Sequence, residues 1–197
     1  IWQVADGKLM QTFTNVHSDA VFGLDFSADG KYLAFEFSVD LNADNQDDSY
    51  RYTAVYLHDL SKPDPVRIST GNVGKDGDGV QAGNPSISAN GRYVAFESLA
   101  TNLVPGDTNG TADVFVHDRQ TGVTELVSVD SFEFPTDRDS ANPALSADGR
   151  YVAYHSWGTN LVANDTNAST DVFVRDRQNG TTERASVGAS AQQGNGD

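Results

Sequence analysis

Apolar residues along this chain come in short bursts, such as Tyr93-Val94-Ala95-Phe96 and Asp113-Val114-Phe115-Val116, and every burst is broken by Gly, Asn or Asp. Short apolar runs bounded by turn formers predict short β-strands. No long amphipathic helical pattern runs through the sequence, and Pro85, Pro105, Pro143 and the many β-branched residues oppose helix. The fold class expected is all-β. The dipeptides Asp29-Gly30, Asn90-Gly91 and Asp148-Gly149 recur at one equivalent place between two bursts, where positive φ at both residues would close a tight hairpin. Gln120-Thr121-Gly122 and Gln178-Asn179-Gly180 predict a second turn, between a strand ending at Asp118 or Asp176 and one beginning near Thr124 or Thr182. Each unit then holds four strands.

These units repeat. Gly83 to Val129 returns at Ala141 to Val187 with an offset of 58 residues and no gap, and a divergent copy lies upstream, with Gly30 preceding Gly91 by 61 residues. Self-similarity on this scale, with several strands per period, marks a propeller or a β-array with one continuous core. The predicted divisions are a half unit over 1–16, joined at Asp6-Gly7, whole units over 17–72, 80–130 and 138–188, and a connecting loop over 189–197.

The openings N-P-x-x-S-x-[ND]-G-R-Y-V-A-[FY], at Asn84 and Asn142, resemble the PD40 or TolB-like class of WD40-like β-propeller repeats, and the resemblance covers nearly the whole chain. The first 34 residues are closer to ordinary WD40 sequence, with Ile1-Trp2 in place of the Trp-Asp pair and Val16-His17 in place of Gly-His. The resemblance implies a radial array of four-stranded antiparallel blades, each with its first strand inside and its last at the rim. Three whole blades and a half fall short of the usual ring, so the expectation is an incomplete propeller, either part of a larger one or completed by assembly. An open array exposes strand edges that template pairing, which predicts a protein partner or self-association there.

Composition narrows the function. A net charge of −15 and a pI near 4.3 repel nucleic-acid phosphates and anionic lipid surfaces. No apolar run approaches the length that crosses a bilayer, so neither nucleic-acid binding nor membrane insertion is expected. Zero Cys excludes disulfides and thiol chemistry. No charged-then-apolar leader follows Ile1, and location is inferred indirectly, as extracytoplasmic. The acids are 23 Asp against 5 Glu, a bias toward turns and loops.

One acidic loop is duplicated with the repeat. Asp107, Asn109, Thr111 and Asp113 recur as Asp165, Asn167, Ser169 and Asp171, both reading Asp-x-Asn-x-x-x-Asp, and the first unit has Asp40, Asn42, Asp44 and Asp48 in a longer loop. Calcium takes six to eight oxygens, and carboxylate, amide and hydroxyl oxygens at alternate positions of a short loop supply them. The central Gly and distal Glu of an EF-hand are absent. Asx-type capping of loop N–H groups fits the same residues. Long inter-blade connections, Gly74 to Gly79 and Asp130 to Asp139, are expected on the same face as these loops. His58, His117 and Arg175 occupy one repeat position and, like His155, read as surface decoration, while His17 marks a WD40-like blade entrance. Asp118 and Asp176 with Arg119 and Arg177 read as turn or inter-blade bonds. Without a Gly-x-Ser-x-Gly elbow, a phosphate loop or a His-Glu-x-x-His helix, the expectation is a non-enzymatic binding or assembly module with calcium as cofactor. The alternative is the propeller domain of a larger peptidase or polysaccharide-degrading enzyme.

Overall fold

The computed structural model describes residues 21–40, 51–70, 81–167 and 169–188. Within them the chain forms three antiparallel four-stranded sheets, each from four consecutive strands. The first holds β1 (Val21–Phe26), β2 (Tyr32–Asp40), β3 (Arg51–Asp59) and β4 (Val66–Arg67). The second holds β5 (Ala82–Ile87), β6 (Tyr93–Ser98), β7 (Asp113–Asp118) and β8 (Val123–Leu126). The third holds β9 (Ser140–Leu145), β10 (Tyr151–Ser156), β11 (Asp171–Asp176) and β12 (Thr181–Arg184). No helix occurs among the described residues. The half unit over 1–16, His17, the loop Gly74 to Gly79 and the segment 189–197 lie outside them.

The unbroken apolar runs of the middle unit have a cause in its packing. The middle sheet is covered on both faces, so β6 and β7 bury every residue from Val94 to Phe96 and from Val114 to Val116. Val94, Phe96 and Phe115 face the first sheet, in a cluster with Ala34, Val55, Leu57 and Ile87. Ala95, Val114 and Val116 face the third, with Val152, Tyr154 and Phe173. Strands with two buried faces read as continuous apolar runs, not as alternation. One aromatic pair sits at the same register in each sheet, Phe35 opposite Tyr56, Phe96 opposite Phe115 and Tyr154 opposite Phe173. Their rings stack at 5.7, 5.8 and 6.1 Å.

The first hairpin differs from the expected one. Only its glycines lie in the left-handed region, at φ 66° for Gly30, 68° for Gly91 and 76° for Gly149. The preceding Asp or Asn instead caps the turn: Asn90 Oδ1 accepts from Ser88 Oγ at 2.9 Å and from Arg92 N at 3.0 Å. A wider, side-chain-capped turn needs a single left-handed residue, whereas a two-residue turn needs two.

Neighbouring sheets are joined by a repeated set of contacts. Tyr32 lies against Gly91 of the next sheet, where an added Cβ would come within 2.1 Å of its ring, and Arg119 stacks over that ring at 4.3 Å while donating to Gly91 O. Tyr93, Gly149 and Arg177 repeat this at the second junction, with the guanidinium 4.4 Å from the ring centroid. Asn84 and Asn142 sit at bulges with φ 49° and 54°, next to prolines that have no N–H to offer the ladder. Their own amides are donated backwards, to Glu36 at 3.3 Å and to Glu97 at 2.7 Å. The Asn-Pro pair of the repeat is therefore a junction device.

Candidate functional site

The acidic loops start from apolar anchors. Leu103 and Val104 plug the core between the first and second sheets, Leu161 plugs the next, and the chain then returns over the sheet edge through Asp107–Asp113 and Asp165–Asp171. Asn109 Oδ1 accepts from Thr111 N and Asn167 Oδ1 from Ser169 N, both at 3.2 Å. Asx capping is thus what these amide oxygens do in the loop. The inter-blade connection lies alongside: Asn109 Nδ2 donates to Thr136 O and Ala112 N to Asp139 Oδ1, each at 2.9 Å.

The two copies diverge at their buried carboxylates. In the middle sheet Asp113 is fully buried. Its Oδ1 accepts from Ser128 Oγ at 2.5 Å, while its Oδ2 and the neighbouring Thr111 Oγ1 are buried without a hydrogen-bond partner. Burial pushes this carboxyl up to about 7; Ser128 and Asn109 oppose the shift, and the charges of Asp107 and Asp139 add to it. In the third sheet Asp171 is equally buried, with Ser186 Oγ on its Oδ1 and Asn167 Nδ2 on its Oδ2 at 3.1 Å, and Arg184 Nη1 forms ion pairs, though no directed hydrogen bond, at 3.2 Å from Asp165 Oδ1 and 3.5 Å from Asp171 Oδ2. Burial raises the Asp165 carboxyl and the Arg184 charge opposes that shift. In the first sheet the equivalent register pair is Phe37 opposite Ala54, where the others have Ser98 opposite Asp113 and Ser156 opposite Asp171. There Asp40 closes β2, and Asn42, Asp44 and Asp48 lie outside the described residues.

Among the described residues no three His, Cys, Asp or Glu side chains stand at metal-coordinating spacing. An ion in the middle blade would be held by Asp107 and Asp113 with neutral oxygens from Asn109, Thr111 and the backbone, a set that suits a hard cation.

Three residues read as surface decoration are built in. His58 is 7 % exposed and donates from Nε2 to Lys62 O at 3.0 Å, and His117 is half-buried against Thr124. Arg175, 5 % exposed, binds Asp130 O, Thr182 Oγ1 and Glu133, clamping the connection to the third sheet. Surface variability was the wrong expectation: His58 and His117 find partners within their own blades, and Arg175 finds Asp130 and Glu133 in a connection that does not repeat. His155 is exposed, as expected. Asp118 and Asp176 pair with Arg92 and Arg150 at 2.7 and 2.6 Å and cap the second turn. The cleft between the second and third sheets, lined by Tyr93, Arg150 and Arg177, has its cations committed to Asp176, Glu125 and Gly149 O.

No family profile and no curated protein matches the chain. Its similarity is to solved structures. TolB from Acinetobacter baumannii aligns over 88 % of this chain and 33 % of its own, at 18 % identity and TM-score 0.53. A putative TolB from Agrobacterium tumefaciens aligns over 87 % and 50 %, at 18 % identity and TM-score 0.50. The tricorn protease aligns over 87 % and 15 %, at 17 % identity and TM-score 0.51. The chain thus spans a third to a half of the two TolB chains. Four-stranded antiparallel sheets joined face to face, with matching neighbours over most of the chain, make this the TolB-like β-propeller fold.

Proposed function

We propose that the chain is a non-enzymatic, extracytoplasmic propeller module for protein binding or self-assembly that carries calcium in the loop between β6 and β7. The observation that supports the ion is Asp113, a fully buried carboxylate with one oxygen unpartnered beside Asp107 and Asp139. A buried charge without a counter-charge is costly, and a hard cation offsets that cost with the oxygens already in place. The outer strands β4, β8 and β12 end their sheets and supply edges for pairing. Extracytoplasmic location fits the acidic surface, and among the described residues no helix is long and apolar enough to cross a membrane. Calorimetry on chelator-treated protein tests the ion: calcium gives heat of binding and raises the melting temperature, and silence in both removes calcium from the function. Light scattering tests assembly, which a concentration-independent monomer rules out.

A second reading is the propeller domain of a larger hydrolase that gates or presents substrate. The similarity to the tricorn protease, of which the chain spans 15 %, favours it. A catalytic domain encoded downstream in the same gene decides for this reading, and its absence for the first.

A further inference from the structure

Three blades built on one plan treat one buried spot in three ways. On the strand pair β6–β7 the spot holds Ser98 opposite Asp113, on β10–β11 Ser156 opposite Asp171, and on β2–β3 Phe37 opposite Ala54. A residue on the outer strand completes each: Leu126 opposite Phe115, Arg184 opposite Phe173 and Arg67 opposite Tyr56. Leu126 and Arg184 therefore stand at the same register position. Leu126 packs on the apolar cluster of Leu103 and Phe115, whereas the Arg184 side chain, 10 % exposed, extends to the carboxylates of Asp165 and Asp171.

We infer that Arg184 is a tethered cation doing in the last blade what a divalent metal ion taken from solution does in the middle one. Both cradles have the same loop, the same buried aspartate and the same serine bonded to its Oδ1, so they want the same charge. The last blade meets that demand with the charge of a guanidinium from its own β12, beside the Asn167 amide bonded to Asp171 Oδ2, whereas the Asn109 amide of the middle blade is turned to Thr136 O. The middle blade has leucine at the corresponding place, and its Asp113 Oδ2 and Thr111 Oγ1 are left buried and unpartnered. The pairing of the last blade's acids with a cation points to a cation in its twin, independently of the acidity of the twin's loop. The first blade, with Ala54 where the buried aspartate would be, asks for none at this spot. Calcium sites and blades are consequently not in one-to-one correspondence, since one side chain decides whether a cradle takes metal.

This rests on the calcium reading above, and the test separates the two. Calcium stoichiometry is measured by calorimetry on chelator-treated wild type, Leu126→Arg and Arg184→Leu. Relative to wild type, Leu126→Arg is expected to lose one site and Arg184→Leu to gain one. Leu126→Lys and Arg184→Met repeat the readings in case a variant fails to fold, and a gained site cannot arise from misfolding. If wild type binds calcium and its stoichiometry is unchanged in all four variants, the tethered-cation inference is overturned while the calcium reading stands. If wild type and Arg184→Leu are both silent, both fall.

Discussion

Glycine does two different things in this chain, and substitution separates them. Gly122 has φ 72° with nothing among the described residues near its absent side chain, so Gly122→Ala meets only the left-handed backbone, at about 1 kcal/mol. Gly149 has φ 76° and the Tyr93 ring 2.2 Å from where its Cβ would be, so Gly149→Ala adds an overlap costing about 1–3 kcal/mol more. Chemical denaturation should rank Gly149→Ala well below Gly122→Ala, and equal losses would mean that Tyr93 yields freely. Both glycines were legible as turn formers, but the ring against Gly149 was not, because it comes from the preceding blade. Arg184 was hidden for the same kind of reason. Its partners Asp165 and Asp171 lie on a different segment, and the one available signal was that leucine stands at its place in an otherwise matching repeat.

Within the second and third sheets the last two elements are fastened to the first hairpin by an arginine. Arg92 bonds Asp118 through Nε and Nη2 at 3.0 and 2.7 Å, and Arg150 does the same with Asp176 at 2.9 and 2.6 Å. These bonds hold both carboxyls down to about 2, below their ordinary 3.8. The unfolded chain therefore takes up protons first as pH falls, so the stabilisation is complete above about pH 4 and drains away between there and about pH 2. Urea midpoints at pH 5 and pH 3 should differ less in an Arg92→Ala, Arg150→Ala double variant than in wild type; an equal difference would assign the acid sensitivity elsewhere. The strands themselves were readable from sequence because turn formers bracket each one. The turn geometry was not, since Asp-Gly and Asn-Gly serve equally in a two-residue turn and in the wider capped turn found here. The Asn-Pro pairs at Asn84 and Asn142 were visible as a recurring opening, but neither the bulges there nor their purpose was, because both depend on pairing with other strands and on Glu36 and Glu97 in a neighbouring sheet.

At the scale of the molecule, the preceding blade at each of the two junctions presents a tyrosine and a glutamate, and the following blade receives them on a turn glycine, an arginine and an asparagine amide. The middle blade carries the full set for both directions: Tyr93 and Glu97 ahead, Gly91, Arg119 and Asn84 behind. The third blade presents Tyr151 but has His155 in place of the glutamate and Ala144 in place of Ser86, which accepts from Leu145 N at 3.0 Å across the second junction. Its forward face is therefore not the same surface as the middle blade's. Because the middle blade matches itself front to back, it is a self-compatible tile. A chain in which residues 83–140 are written twice in succession should fold with one more blade and an enthalpy of unfolding larger by that blade's share, which calorimetry would register; an unfolded or aggregated product would show the match to be incomplete. The stacking of a tyrosine on its neighbour's glycine thus gives the gene a way to lengthen, copying one unit whole without redesigning any surface.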